Sequence, residues 1–470
     1  MKLRVLQVTP EMHPLLKIGG LADVCAALPQ ALSRLGHDVR VLMPRIRGMP
    51  GGRRIARLPG LGTVLEVDGG QDHPVWLLDN PGLRRRSRLY TRADGRPWSD
   101  DAQRFDQFAR AAVALADDRA GLGWRADVVH GHDWPCGMVA PHMLLQRIPA
   151  ATVFTIHNLA HQGLFAAATL SELGLPAWLF HPDALEFWGK LSFIKGGLMF
   201  SDRLTTVSPR YAQEIRSEAF GNGLDGVLRY RADRLHGILN GLDNRLWNPR
   251  VDKALGSVFS AAHMEGRARV KTAVAHELGL DPSGAPLLAM VSRLVVQKGV
   301  DLLIETLPAL VERGVHVALL GRGEPAIEKA LVAAAARFPR RVAVRLGYDD
   351  ALGRRLYGGS DLFLMPSRFE PCGLAQMIAM RYGSIPVAHA TGGLIDTIRD
   401  AVGSDGNGFL FEKAGSAELL RAVDRALLLF RDQKAWRAMQ QRAMRRRFDW
   451  RAPAQAYLHV YRDALACRRV

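Results

Sequence analysis

No apolar run in this chain approaches the ~20 residues that a membrane-spanning helix requires, so no membrane span and no membrane partner is expected. Cysteine is scarce: Cys25, Cys136, Cys372 and Cys467 lie far apart and lack metal-ligand spacing. That argues against a disulfide framework or a zinc site and suits reduced thiols in a cytoplasmic protein. Cys25, Cys136 and Cys467 read as small buried side chains, whereas Cys372 lies in a motif described below. The opening Met1–Val8 is too short and too soon interrupted for a signal peptide and reads as a first buried strand. Acid is in deficit, with 46 Asp and Glu against 63 Lys and Arg, a net charge of +17. The runs Arg84-Arg85-Arg86 and Arg445-Arg446-Arg447 raise nucleic-acid binding as a reading. No helix-turn-helix, RNP or zinc-finger pattern supports it, and the basic residues are dispersed, so no nucleic-acid partner is expected. A positive surplus also helps capture anionic substrates such as nucleotide diphosphates.

What is present is ample core: 470 residues at 48% apolar content predict two or three domains. Short apolar strands alternate with amphipathic helices in two stretches. The first has strands at Arg4–Thr9, Val39–Met43, Val75–Leu78, Asp127–His130, Ala151–Ile156 and Arg203–Val207, with a helix from Gly20 to Leu35. The second has strands at Leu287–Ser292, His316–Leu320, Arg341–Leu346, Leu362–Met365 and Ile385–Ala388. This alternation predicts an α/β fold of doubly wound parallel sheets with helices on both faces. The turn-rich Asn240–Pro249 reads as a hinge, giving domains over 1–245 and 246–449. The segment Trp450–Arg469, apolar at Ala456, Tyr457, Val460 and Tyr461, predicts a helix within 450–470 that packs back on the first domain. Ligands of such sheets bind beyond the carboxyl ends of the strands, and two facing domains make a cleft lined by both sets of loops.

The motifs fall just after strands. Lys17-Ile18-Gly19-Gly20-Leu21-Ala22-Asp23-Val24 follows the first. Its glycines allow close backbone approach, the helix start offers N–H groups to an anion, and Lys17 adds a point charge. A tight turn with an exposed lysine explains the same residues. His130-Gly131-His132-Asp133-Trp134 and Thr155-Ile156-His157-Asn158-Leu159 end neighbouring strands, which favours a role for Asp133 and His157. Metal binding is the weaker reading, because no helical His pair or carboxylate cluster accompanies them. Ser292-Arg293-Leu294-Val295-Val296-Gln297-Lys298-Gly299 sets two cations beside a helix start, suited to a leaving diphosphate. Pro366-Ser367-Arg368-Phe369-Glu370-Pro371-Cys372-Gly373-Leu374 projects Glu370 before a Pro-Cys-Gly turn, with the N–H groups of Gly373 and Leu374 behind it. Thr391-Gly392-Gly393-Leu394 repeats the arrangement after the next strand and suits phosphate.

Taken in order, these motifs, with Asn240-Gly241-Leu242-Asp243, Trp247-Asn248-Pro249 and Asp449-Trp450, resemble the bacterial glycogen synthase and plant starch synthase family along nearly the whole chain. The resemblance implies a GT-B fold, two Rossmann-like domains facing across a cleft. It implies transfer of glucose from ADP-glucose to the non-reducing end of an α-1,4-glucan, with retention of configuration, no cofactor and no metal. By motif, Lys17, Gly19, Gly20 and Asp23 fall in the donor and acceptor region, with Asp133, Asn158 and Asn240. His157 falls near the transferred sugar, Arg293 and Lys298 on the diphosphate, and Glu370 on the glucose, beside Cys372, Gly373 and Leu374. Tyr348 falls on the adenine, and Thr391 and Gly392 on phosphate. The chain departs from the family pattern at Ile18, at Pro135-Cys136 and at His161, all toward the acceptor side.

The rivals are a GT-B transferase using UDP-glucose or a small acceptor, and a non-catalytic glucan-binding homologue. Intact Lys17, Arg293, Lys298 and Glu370 argue against the second. A pyridoxal-phosphate phosphorylase would need a Schiff-base lysine motif, and none is found. Paired-carboxylate chemistry of the glycosidase kind finds no second member for Glu370.

Overall fold

In a computed structural model the chain is described over residues 2–70, 72–92, 94–281, 284–403 and 405–468. Met1, Arg469 and Val470, the outermost residues of the expected elements, lie outside the described residues. The chain divides into two compact units, Met1–Gly241 with Trp450–Val470, and Leu242–Asp449. The division falls between Gly241 and Leu242 rather than near 245, so most of the turn-rich segment belongs to the second unit.

The first unit carries β1 (Arg4–Val8), β2 (Asp38–Pro44), β3 (Arg53–Leu58), β4 (Gly62–Val67), β5 (Val75–Asp79), β6 (Val128–His132) and β7 (Ala151–Ile156), then β8 (Leu164–Ala166), β9 (Glu186–Phe187), β10 (Lys190–Ser192), β11 (Arg203–Thr206) and β12 (Leu235–Gly237). Its main sheet has the order β12-β11-β7-β6-β1-β2-β5-β4-β3, and a small separate sheet the order β8-β10-β9. The expected all-parallel sheet is corrected here: β3 with β4, and β4 with β5, pair antiparallel. Only residues 59–61 join β3 to β4, and 68–74 join β4 to β5. Such links are too short for the crossover that parallel neighbours need.

Strand alternation sorts the core of this unit onto two faces. Leu3 and Val5 cluster with Val24, Leu28 and Leu32 of the Gly20–Arg34 helix and with Ala454, Tyr457 and Tyr461 of the Arg451–Cys467 helix. Leu6 and Val8 face the other way, clustering with Phe105 and Phe108 of the Asp101–Ala116 helix. The last helix therefore joins the first unit's core, each large buried side chain contributing about 1.5–3 kcal/mol. Its last buried residue is Ala464, and Cys467, in the final turn, is exposed. That corrects the expectation of a buried thiol there.

The second unit carries β13 (Leu287–Leu294), β14 (His316–Gly323), β15 (Val342–Leu346), β16 (Leu362–Met365), β17 (Ile385–His389) and β18 (Phe409–Phe411). All pair in parallel, in the order β15-β14-β13-β16-β17-β18. Renumbered within the unit this is 3-2-1-4-5-6, the doubly wound order whose direction of winding reverses between its first and fourth strands. Among the described residues, no helix is long and apolar enough to cross a membrane.

Candidate active site

In the second unit the winding reverses between β13 and β16, and there the loops after those strands meet. Gly299 makes the meeting possible. Its φ is +68°, and a Cβ on it would sit 2.2 Å from the carbonyl oxygen of Pro366. Lys298 Nζ consequently lies 2.5 Å from Glu370 Oε2, although 72 positions separate them in sequence. Ser367 Oγ donates to the same oxygen at 3.0 Å. Both bonds land on Oε2, and among the described residues Oε1 accepts none. The carboxylate is thus held by one oxygen and presents the other.

The Thr391–Leu394 loop after β17 supports Glu370 from behind. Gly393 N donates to the Glu370 carbonyl at 3.1 Å. Gly392, at φ +46°, leaves no room for a Cβ, which would lie 2.0 Å from that same carbonyl oxygen. Thr391 and Cys372 are buried in this junction. His389 Nδ1 donates to the Ser367 carbonyl at 2.8 Å, tying β17 to the Glu370 loop. The N–H groups of Gly373 and Leu374 have no protein acceptor among the described residues. Arg368, inside the motif, is spent on Asp301, in a two-pronged pair at 2.8 and 2.6 Å. Arg293 stands at the end of β13, exposed, with one hydrogen bond of 3.3 Å to Gln297. Tyr348, just past β15, is 81% exposed, so its ring is accessible for stacking.

In the first unit the sheet reverses around β1, with β2 on one side and β6 on the other. The glycine loop after β1 departs from an open phosphate cradle. Glu11, which the motif reading missed, is buried, and its Oε2 accepts from Ile18 N at 2.5 Å and Gly19 N at 3.2 Å. Two of the loop's N–H groups are therefore occupied. Burial pushes the Glu11 carboxyl up to about 7, against those two bonds. Lys17 is paired with Asp23 at 2.9 Å near the surface. An acid immediately after the first strand was the available signal for Glu11.

Asp133 adopts φ +57°, a conformation that costs a residue with a Cβ about 1 kcal/mol or more. In return its Oδ1 accepts from His157 N at 2.7 Å and Asn158 N at 3.4 Å. Asp133 therefore clamps the exit of β7 and holds His157 in place. Burial pushes its carboxyl up to about 7, opposed by the same backbone bonds. Asn158 Oδ1 caps its own turn, accepting from Ala160 N at 3.1 Å. His157 is half-buried, and burial pushes it down to about 3, so its ring is neutral at working pH. Asn240 is 5% exposed, and its buried Oδ1 lacks a partner among the described residues.

Each unit thus gathers its share of the expected residues at the carboxyl ends of its central strands. Lys17, Gly19, Gly20, Asp23, Asp133, His157 and Asn158 lie in the first. Arg293, Lys298, Glu370, Cys372, Gly373, Leu374, Thr391 and Gly392 lie in the second. Among the described residues, no group of three or more His, Cys, Asp or Glu is placed to hold a metal ion. The second arginine run lines a cavity of about 630 Å³ in the second unit, with Arg250 and Arg381, and none of the expected site residues borders it.

Two α/β units of this topology, with polar loops after their central strands, define the GT-B class of glycosyltransferase fold. Within that class, the chain belongs to the glycogen synthase and starch synthase family. The family profile described as starch synthase catalytic domain matches residues 4–230, and that described as glycosyl transferases group 1 matches residues 276–445. A glycogen synthase of Halorhodospira halophila is 47% identical, over 99% of this chain and 100% of its own. Glycogen synthase 1 of Methylococcus capsulatus is 45% identical, over 99% and 97%. Among solved structures, the catalytic domain of Arabidopsis thaliana starch synthase IV, bound to ADP and acarbose, is similar with a TM-score of 0.89. It shares 34% identity, over 99% of this chain and all of that one.

Proposed function

We propose that this chain is a glycogen synthase, a retaining glucosyltransferase that moves glucose from ADP-glucose to the non-reducing 4-hydroxyl of an α-1,4-glucan. The carrying observation is the Lys298–Glu370 pair at the reversal point of the second unit, flanked by Arg293 and by the free N–H groups of Gly373 and Leu374. A fixed cation beside unpaired N–H groups suits a leaving diphosphate, and the open Oε1 of Glu370 suits sugar hydroxyls. The glycogen synthase relatives support the reaction, and the ligands of the plant neighbour support the nucleotide and the glucan-like acceptor.

In this reading the second unit binds the donor: Tyr348 stacks on adenine, Lys298, Arg293, Thr391 and Gly392 hold the diphosphate, and Glu370 orients the glucose. The first unit binds the acceptor side, with Lys17, Gly19, Gly20, Asp23, Asn158 and Asn240 around it, His157 beside the transferred sugar and Asp133 fixing His157. The bond from the anomeric carbon to the diphosphate breaks, and ADP leaves with its electron pair. The acceptor oxygen forms the new bond on the same face and passes its proton to a donor phosphate oxygen. Cationic side chains carry the developing charge, so neither metal nor cofactor takes part. Glu370 holds the sugar rather than attacking it. Cysteines outside any disulfide, three of them buried, suit the reducing cytoplasm in which we place the enzyme.

The test is incorporation of labelled glucose into glycogen, with ADP-glucose and UDP-glucose side by side. Incorporation from ADP-glucose is expected. Incorporation from UDP-glucose alone would reassign the donor, and none from either would leave a glucan-binding protein.

A further inference from the structure

Beneath His157 lies a buried polar layer that no step of the transfer uses. Gln7 on β1, His130 and His132 on β6, Thr155 on β7 and Thr205 on β11 occupy alternate strand positions on the face covered by the Arg451–Cys467 helix. Strand register sets Gln7 beside His130, His132 beside Thr155, and Thr155 beside Thr205. All five are at most 1% exposed. Buried polar groups are tolerated only when bonded, and here one continuous chain of hydrogen bonds satisfies them.

Gln7 Nε2 donates to the Tyr461 hydroxyl at 2.8 Å. That hydroxyl lies 2.8 Å from His130 Nδ1, and His130 Nε2 lies 2.5 Å from Thr155 Oγ1. On its other side, Gln7 Oε1 lies 2.6 Å from His132 Nε2. His132 Nδ1 in turn lies 2.9 Å from His157 Nε2. A carboxamide oxygen can only accept, so His132 carries its proton on Nε2. Burial keeps both rings neutral, so His132 Nδ1 has a lone pair and must accept. The shared proton therefore belongs to His157 Nε2, and His157 Nδ1 keeps a lone pair. Among the described residues that nitrogen has no hydrogen-bond partner.

We propose that Gln7, oriented by Tyr461, sets the tautomer of His157 so that this ring meets a sugar hydroxyl as an acceptor rather than a donor. The functional half rests on the placement of His157 beside the transferred sugar. Tyr461 is the anchor because its oxygen takes the Gln7 amide proton while its own proton goes to His130 Nδ1. Were the carboxamide reversed, its NH₂ would face His132, every proton in the chain would shift, and His157 would donate from Nδ1. Gln7, Tyr461 and His132 are thus positioning residues, acting on substrate only through His157.

The experiment is ¹⁵N imidazole NMR of histidine-labelled full-length protein, with the His157 signals assigned by their loss in His157→Ala, combined with kinetics. Wild type should show a protonated Nε2 and an unprotonated Nδ1 at His157. Tyr461→Phe, which frees the carboxamide to turn, should shift that pattern toward protonated Nδ1 and lower kcat/KM about tenfold, as loss of one buried hydrogen bond does. A protonated Nδ1 in wild type, or an unchanged His157 pattern in Tyr461→Phe, overturns the proposal. If the tautomers behave as stated but His157→Ala is fully active, the placement of His157 at the sugar fails and the functional half falls with it, while glucan synthesis itself stands.

Discussion

The two units present opposite electrostatics at equivalent places in similar sheets. After the central strands of the first stand neutral rings, His132 and His157, with two buried carboxyls, Glu11 and Asp133, turned inward onto backbone N–H groups, and the cation of its glycine loop, Lys17, is already paired with Asp23. After those of the second stand formal charges, with Lys298 against Glu370 and Arg293 open to solvent. The topology is indifferent to this choice; side chains on the loops make it. Hydroxyl-rich ligands are read by fixed donors and acceptors, and a diphosphate is read by charge. The contrast therefore fits an acceptor-side unit and a donor-side unit, and it can be broken from either side.

Acid should break the first unit with the largest effect. Burial pushes His130 and His132 well below their ordinary value of 6.5, and His157 to about 3. Unfolded, each binds a proton below 6.5, while folded it does not. Stability is therefore lost as pH falls, by about 1.4 kcal/mol per histidine per pH unit. Glu11 and Asp133, raised to about 7, work in the opposite direction. The folded state holds their protons first, so stability is gained as pH falls from 7 toward 4.5 and 3.8, their ordinary values. Two gains offset most of three losses down to roughly pH 4.5, Asp133 alone goes on offsetting part of them to 3.8, and below that the histidine losses run on alone. Hydrogen-exchange mass spectrometry across pH should find residues 128–157 and 451–467 opening steeply below that point, before 287–365. Simultaneous opening of both units would remove the histidine layer as the cause.

Next in size is the loss of the central charge of the second unit. Lys298→Ala should lower kcat by about 10²–10³-fold, the cost of one preorganised partner for developing charge. Glucan binding should hold. Unchanged turnover would end the diphosphate role of Lys298. Tyr348→Ala should follow, raising KM for ADP-glucose by roughly 5- to 150-fold at nearly constant kcat, the usual 1–3 kcal/mol of base stacking. An unchanged KM would detach the exposed ring from the nucleotide.

How much of this was legible follows the same divide. Charged loop motifs of the second unit announce themselves, because Arg293, Lys298 and Glu370 stand just after apolar strands. Their places at strand ends were readable, but the direct Lys298–Glu370 bond was not, since Gly299 and Pro366 must touch before it forms. The neutral layer of the first unit was nearly invisible. Gln7 looks like an interruption of a buried strand, and its meaning depends on Tyr461, 454 positions away. Alternation offered a faint signal, with His130 and His132 two positions apart in β6. The hairpin of β3 and β4 escaped because Arg53, Arg54 and Arg57 make an edge strand read as a loop. β18 escaped because three residues carry no period.

The smallest effect sharpens the comparison most cleanly, because it touches charge and nothing else. Salt shortens the reach of an exposed charge from about 10 Å at 0.1 M to about 3 Å at 1 M. Arg293 is exposed and Lys298 is partly so, whereas the histidines of the first unit are neutral and its Lys17 is offset by Asp23 at 2.9 Å. Raising sodium chloride from about 0.05 to 0.5 M should therefore raise KM for ADP-glucose a few-fold and leave KM for glucan flat. Lys298→Ala should show a shallower dependence for the donor. The +17 charge of the whole chain is a competing source of attraction, and it would act on the donor equally in wild type and variant. A donor slope unaffected by Lys298→Ala would therefore assign the salt effect to the general surface charge, and the local electrostatic contrast between the two units would lose its kinetic meaning.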